Sequence, residues 1–445
     1  MNTVCNGATF SFQIDRGKVS ELEALLLQMK ADPSGNAVFP MGKLKYVHYA
    51  SWVLVPEEKM PNGKLLPIHL LLLTTYWGNR KAHIRELSEL SLPGLRQIMS
   101  CCEGYVENGN IEKYLYQFLK RHCVVNSTYN AFQYATVEDI KNEEALRKEI
   151  ENFLDQESVN SSFLQQSAKN IRDQIQQHVK AKPEFSWATT AWKRGFANNW
   201  ALNGNWILLQ LFFLLMLLTS LFGLFHHNLF SSIAFWLLLS MLIGFGLMLI
   251  LFRLNELKLA IQVKNNVTHA SDEENKKIAD QECERVCNEM TVTGPLKAGF
   301  IRPVILYVLL AFARIRRANI FIPTVHTARW LQLDGGRRIV FIAYFDNTSD
   351  GYARDFVDSA RRTKKVNLIL GHGNGYPYTR WALFEGGKDA NGYMNTVRKQ
   401  QKLTNVWYAT HKELSILNVL NNQLIRRGLW GEMKEEEVKQ WLQYF

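Results

Sequence analysis

The residues best equipped for chemistry lie in the C-terminal half of the chain: His326, Arg329, Asp346 and Arg380. A histidine held by a carboxylate can move protons near neutral pH, and an arginine fork grips carboxylates or phosphates through two parallel bonds. A site of this kind requires His326 to meet Asp346 across a hairpin. His48 holds the equivalent place in the N-terminal half, so a shared packing or backbone role for the two histidines stands beside the catalytic one. There Ser51 replaces Arg329 and Trp77 replaces Asp346, which confines any ligand site to the second half. Strand alternation puts His326 and Ala328 on one face and Arg329 on the other. Burying an unpaired Arg or Asp costs several kcal/mol, so the set should close into a structural bridge or line a solvated cleft.

Other chemical signals are sparse. Cys283 and Cys287 sit one helical turn apart, but no His or second Cys pair stands at zinc-site spacing, and no metal is expected. Cys101, Cys102 and Cys123 read as buried thiols. The run Gly371–Gly375 follows an expected strand, yet Pro377 comes next and no helix opens to offer its amides to a phosphate. The chain has no Walker loop, Gly-x-Ser-x-Gly elbow or His-Glu-x-x-His. The basic run Arg361-Arg362-Thr363-Lys364-Lys365 fits anionic lipid beside a membrane anchor, and nucleic acid is not expected as a partner.

The elements that must position these residues come in two copies. Val47-His48-Tyr49-Ala50-Ser51-Trp52 parallels Val325-His326-Thr327-Ala328-Arg329-Trp330, and an ordered series of matches follows at offsets of 269–278 residues. Turns at Pro61-Asn62-Gly63 and Asp334-Gly335-Gly336 are each followed by an apolar strand, Ile68–Tyr76 and Ile339–Phe345. The first half reads as strand Ala8–Ile14, helix Val19–Met29, hairpin Tyr46–Val55 with Ile68–Tyr76, helix Lys81–Ser91 and a strand near Gln97–Cys102. The second reads as strand Glu289–Thr293, helix Phe300–Arg316, hairpin Thr324–Phe345, helix Gly351–Arg361 and strand Val366–Leu370. Each is β-α-β-β-α-β, a ferredoxin-like unit. Each then adds a helix, a strand (near Asn130–Tyr134 and Asn405–Ala409) and a helix opened by a capping box, Thr136–Asp139 or Thr410–Glu413. The expected fold class is therefore α+β, two ferredoxin-like repeats pairing into one body.

Between the halves, Trp206–Phe252 carries no formal charge. Broken at His226-His227-Asn228, it gives segments of 20 and 24 residues, reaching about 30 and 36 Å as helices, each enough for a ~30 Å hydrocarbon core. A two-helix transmembrane hairpin follows. Lys180, Lys182, Lys193, Arg194, Arg253, Lys258 and Lys264 flank it on one side, so both termini should be cytoplasmic, with Trp187, Trp192, Trp200 and Trp206 at the headgroups. The net charge of +11 suits an anionic surface. Six Cys in 445 residues exclude a disulfide scaffold and fit a reducing compartment. Residues 1–157 form the first repeat, 158–200 an amphipathic stalk, 201–253 the hairpin and 254–445 the second repeat. Helix Ile301–Arg317 reads as core, or as a helix lying on the bilayer. Ser161–Val179 reads as a stalk or partner helix.

At His326-Thr327-Ala328-Arg329-Trp330 and Phe345-Asp346 the chain resembles a poorly characterised bacterial membrane family with an "HFARW … YDG or FDG" core. Gly375-Tyr376-Pro377-Tyr378-Thr379-Arg380-Trp381 and Trp407-Tyr408-Ala409 are similar to that family's later motifs. The family is distantly similar in fold to dye-decolorising peroxidases. That resemblance implies a haem-dependent oxidoreductase, with Asp350-Gly351 as the remnant of a Gly-x-x-Asp-Gly motif and His372 or His411 as axial ligand. The first Gly of the motif is replaced by Asn347, and no axial histidine is assignable. The leading expectation is a membrane-anchored binding or assembly module of the bacterial inner membrane, with a protein or anionic-lipid partner. The alternatives are a haem-peroxidase-like enzyme and a lipid-handling protein.

Overall fold

A computed structural model describes residues 4–106, 110–190, 196–225, 229–263, 272–282, 285–316, 322–358 and 360–445. The turn His226–Asn228, along with Trp192, Lys193, Arg194, Lys264, Asn266, Cys283 and Arg317, lies outside the described residues, as do the side chains of Trp200 and Arg361.

The first half runs β1 (Cys5–Gln13), α1 (Val19–Ala31), β2 (Val47–Val55), a short ribbon of β3 (Glu58–Lys59) and β4 (Leu65–Leu66), then β5 (His69–Trp77). Helices α2 (Arg80–Leu90), α3 (Leu92–Ser100) and α4 (Ile111–His122) follow, then β6 (Cys123–Val124) and β7 (Asn126–Asn130). Helices α5 (Val137–Ser158), α6 (Ser161–Leu164) and α7 (Ala168–Ala181) lead to two long apolar helices, α8 (Phe196–Phe225) and α9 (Leu229–Val263), and to α10 (Asp272–Glu282). The second half runs β8 (Cys287–Pro295), α11 (Ile301–Arg316), β9 (Val325–Leu333), β10 (Arg338–Asp346), α12 (Ser349–Val357) and α13 (Ala360–Leu370). It closes with β11 (Thr379–Arg380), β12 (Phe384–Glu385), α14 (Ala390–Gln400), β13 (Gln401–Lys402), β14 (Val406–Ala409), α15 (Ile416–Gly428) and α16 (Glu435–Trp441).

Two expected strands are helices. Gln97–Cys102 lies largely within α3, where Leu95, Ile98 and Met99 are buried at spacings of three and four, and Val366–Leu370 is the end of α13, with Val366 and Leu370 buried one turn apart. The apolar period there is helical, and short apolar runs do not separate the two periods. The Gly371–Gly375 run therefore follows a helix. The Thr410–Glu413 box opens no helix, because Thr410 spends its amide on the His48 carbonyl (2.9 Å); α15 starts at Ile416 under a Ser415–Asn418 box. The Thr136–Asp139 box caps α5 as expected. Ser161–Val179 is broken by Ser167, which caps α7, and is no free stalk. Ile175 and Val179 pack with Ile425, Leu429 and Trp441, and Arg172 donates to the carbonyls of Gly428 (2.7 Å) and Gly431 (2.8 Å).

The strands form two five-stranded antiparallel sheets, in the orders β14-β2-β5-β1-β6 and β13-β8-β10-β9-β7. Read by repeat position the two orders are the same, and one edge strand of each sheet is supplied by the other half. Residues 126–130 pair with β9, and residues 406–409 with β2. The sheets stack face to face over Val53, Leu71 and Leu73 of one and Leu331, Val340 and Ile342 of the other. Helices cover both outer faces: Leu22, Leu87 and Leu115 on one side, Tyr352, Val366 and Met394 on the other.

Segments Asn203–Leu221 and Ser232–Ala260 of α8 and α9 are long and apolar enough to cross a membrane, with mean hydropathies of 1.8 and 2.5. Only 6% of each is buried, so their leucines face outward rather than into a core. Helix α11 packs beside them, with Phe312 edge-on to Trp206 at 5.4 Å. Its Leu306 and Leu310 bury against Ile339, as expected of a core helix, while Val304, Tyr307, Val308 and Phe312 stay exposed.

Candidate functional site

The strand pair β9–β10 carries a bulge. Tyr344 pairs with Thr327, but Phe345 pairs with Val325, leaving His326 as the extra residue. The same irregularity leaves His48 unpaired between Val47 and Tyr49 on β2. A bulge places two successive side chains on one face and resets the alternation beyond them. His326 and Arg329 consequently share the face between the sheets, not opposite faces as strict alternation requires.

His326 is fully buried and does meet Asp346 across the hairpin, Nε2 to Oδ1 at 2.6 Å. Its Nδ1 lies 2.8 Å from the hydroxyl of Tyr49, contributed by the other half. The second carboxylate oxygen of Asp346 accepts the Ile416 amide (2.9 Å) at the first turn of α15, where the helix dipole favours negative charge. Burial opposes a charge on the ring, but Cys287 and the Asp346 carboxylate outweigh it and push His326 up to about 10. Protonated, the ring donates from both nitrogens, to Asp346 and to the Tyr49 oxygen. Tyr49 in turn stacks on Tyr344 at 4.9 Å, and Tyr344 shares a 2.8 Å hydrogen bond with Ser51.

Arg329 does not join Asp346. Its fully buried fork crosses to the first half and donates to the carbonyls of Ala8 (2.7 Å) and Thr74 (3.0 Å) and to Thr75 Oγ1 (2.5 Å). Among the described residues no carboxylate pairs with it; backbone dipoles solvate the cation instead. Gly7 makes room, because a Cβ there would lie 3.1 Å from the guanidinium carbon and 2.7 Å from Thr128 Oγ1. The contact is half of a symmetric pair. Ser51 touches Tyr344, and Arg329 touches Thr75, the position equivalent to Tyr344.

The other candidates lie elsewhere. Arg380 is exposed on the β11–β12 ribbon over the Phe384 ring (5.5 Å) and takes no part in the His326 cluster. His411 is buried with its ring 5.7 Å from His48, and burial, then Lys141 and His326, hold it down at about 3. His372 is buried 5.5 Å from the Phe252 ring and is held at about 3 by burial, then by Arg302 and Lys297. Asp350 opens α12 and is bound by Arg398. A haem needs a macrocycle-sized space beside an axial nitrogen. The larger cavities run along α11 and α4, and neither histidine lines them. Neither His372 nor His411, the two expected axial ligands, is placed to serve a macrocycle there.

Two groups escaped the sequence reading. Cys5 and Cys287 begin β1 and β8, and Cys287 is a strand residue, not one turn of a helix with Cys283. Cys5 Sγ lies 3.6 Å from His48 Nε2, and burial raises its pKa far above the ordinary thiol value. The signal was present: Cys5-Asn6-x-x-Thr9 repeats as Cys287-Asn288-x-x-Thr291. The second is Glu256 near the end of α9, which is 1% exposed. It accepts from Thr379 Oγ1 (2.7 Å), the amides of Trp381 (2.8 Å) and Ala382 (3.0 Å), and Arg253 (3.0 Å). Trp381 and Ala382 adopt φ of 57° and 54°, so successive amides form a nest for the carboxylate. The Gly375–Trp381 motif is thus a socket for the second long helix. Comparisons with protein-family models, curated proteins and solved structures find no match.

Proposed function

We propose that the protein is a membrane-anchored, cytoplasm-facing binding or assembly module built from two ferredoxin-like repeats. In this reading its buried polar layer locks the halves together and turns over no substrate. The observation that carries the proposal is that His326, Arg329 and Asp346 each bond fixed protein partners, Tyr49, the Ala8 and Thr74 carbonyls and the Ile416 amide, with His326 and Arg329 fully buried. The strand order β2-β5-β1-β6 and its copy β9-β10-β8-β13 support the ferredoxin-like reading. The two outward-facing apolar helices support a bilayer-spanning hairpin, and the flanking cations favour both halves on one side of it.

The test is an absorption spectrum of detergent-purified protein expressed with excess haem, joined to the melting temperatures of His326→Ala and Arg329→Ser. The module reading expects no Soret band and a lowered melting temperature in both variants. A Soret band with stoichiometric iron, lost in either variant at unchanged melting temperature, would establish the oxidoreductase instead.

A further inference from the structure

Three neighbouring cavities that share lining residues lie between α11 of the second half and the β6–β7 segment of the first. The upper chamber, about 370 Å³, is bounded by Tyr76, Arg80, Asn130 and Arg314. A constriction of about 130 Å³ passes Leu310, Ala311 and Trp330 and shares Val124, Asn126 and Arg314 with that chamber. The lower chamber, about 610 Å³, lies along Val304 and shares Val124, Tyr307 and Gln332 with the constriction.

The chemistry changes along this path. None of the residues bounding the upper chamber is acidic, and among the described residues neither Arg80 nor Arg314 has a carboxylate partner. Asn130 is 5% exposed, and its Oδ1 has no donor, leaving an acceptor open to a hydroxyl. Below, apolar Val124, Pro303, Val304, Tyr307 and Leu333 share the wall with Ser11, Arg121, His122 and Gln332. The one acid there, Asp334, is already held by His69 (2.7 Å) and Arg338 (3.3 Å). Tyr307 and Val304 of this wall are 62% and 51% exposed, on the helix that packs against α8 and α9.

We propose that these cavities form one groove, which holds one anionic glycerophospholipid drawn from the adjoining bilayer. Its phosphate sits between Arg80 and Arg314, a headgroup hydroxyl meets Asn130, and an acyl chain passes the constriction toward Val304. The chamber volumes lie in the usual range of roughly 300–1,000 Å³ for ligand sites, and the narrow waist suits a linear chain better than a ring. This rests on the reading of α8 and α9 as a membrane hairpin, which places α11 at the lipid surface. Because both halves line the groove, the lipid also bridges the two repeats.

The experiment uses the full chain, delipidated in detergent, with bound lipid counted by native mass spectrometry. The probes are phosphatidylglycerol, phosphatidylcholine of the same chains, and glycerol 3-phosphate. One phosphatidylglycerol should bind per chain, at least about tenfold tighter than phosphatidylcholine, which has the same phosphate but brings a trimethylammonium toward Arg80 and Arg314 and no hydroxyl to Asn130. Ala311→Trp, which plugs the waist, and the surface pair Arg80→Glu with Arg314→Glu should each weaken binding about tenfold at unchanged melting temperature. Should the Trp variant fail to fold, the charge pair of exposed Arg80 and half-buried Arg314 decides alone. Equal binding of the two lipids, or indifference to the charge pair, overturns the proposal. Glycerol 3-phosphate binding as tightly as the lipid also overturns it, by showing a soluble-anion site. Release of the protein from membranes by carbonate would instead sink the anchor reading, whatever the groove binds.

Discussion

Asp346→Asn keeps the shape of the carboxylate and removes the charge that holds His326 protonated. The folded pKa of His326, about 10, lies above the ~6.5 of a free imidazole. The stability it contributes is therefore fully present below pH 6.5 and is lost as pH rises through about 10. A gap of about 3.5 units at 1.36 kcal/mol each sets a ceiling near 5 kcal/mol, and breaking a buried ion pair costs about 3–5 kcal/mol by mutational precedent. The two agree. Unfolding entropy of about 2.1 cal/mol/K per residue amounts to roughly 0.9 kcal/mol/K over 445 residues. The variant should then melt about 3–5 °C below the parent at pH 6. The assay is thermal unfolding of both proteins in detergent at pH 6, 8 and 10. Lys297 and Glu289, held by burial at about 7 and about 8, titrate in the same window, but they do so in both proteins and cancel in the difference. The gap should close steadily toward pH 10. A gap under about 1 °C at pH 6, or one that widens as pH rises, would refute the ion-pair account.

Arg329→Ser, which copies the first half, should cost about 1–3 kcal/mol in denaturant unfolding for each acceptor left unsatisfied, because the Ala8 and Thr74 carbonyls and Thr75 lose their donor. Arg329→Lys should not restore it, since an ammonium cannot reach three acceptors as a fork does; full rescue by Lys would contradict this. Glu256→Gln should leave the protein in the membrane but speed hydrogen exchange at the Trp381 and Ala382 amides at least about tenfold, the loss of one charge-assisted bond apiece. Unchanged protection there would mean that the socket does not depend on the carboxylate.

The strands that carry the repeat were legible because both copies of Val-His-x-Ala-x-Trp present the same outward pattern, and the hairpin was legible because no charge interrupts it. The bulge was not. His48 and His326 break the period of two by one residue, and that break looks the same in sequence as an ordinary alternating strand. Arg329 was placed on the wrong face for that reason alone. The partner of Arg329 was also hidden, because its acceptors are main-chain carbonyls, which every residue supplies. Helices α3 and α13 were misread where four or five apolar residues satisfy both periods. Arg380 was drawn in by a motif whose conformation serves Glu256, some 120 residues earlier in the chain.

The reciprocal edge strands have a consequence for how the protein is made. When the first half leaves the ribosome, β2 is the open edge of an unfinished sheet, and its partner β14 is not translated until residues 406–409. At roughly 5–20 residues per second, the 351 positions from Val55 to Val406 take about 20–70 s to synthesise, and the two long apolar helices emerge during that wait. An uncovered strand is a template for stray pairing, so nascent chains should recruit a holdase at this stage. Neither half can mature ahead of the other, and a ribosome that stalls after α9 leaves a half-finished sheet for a protease to remove.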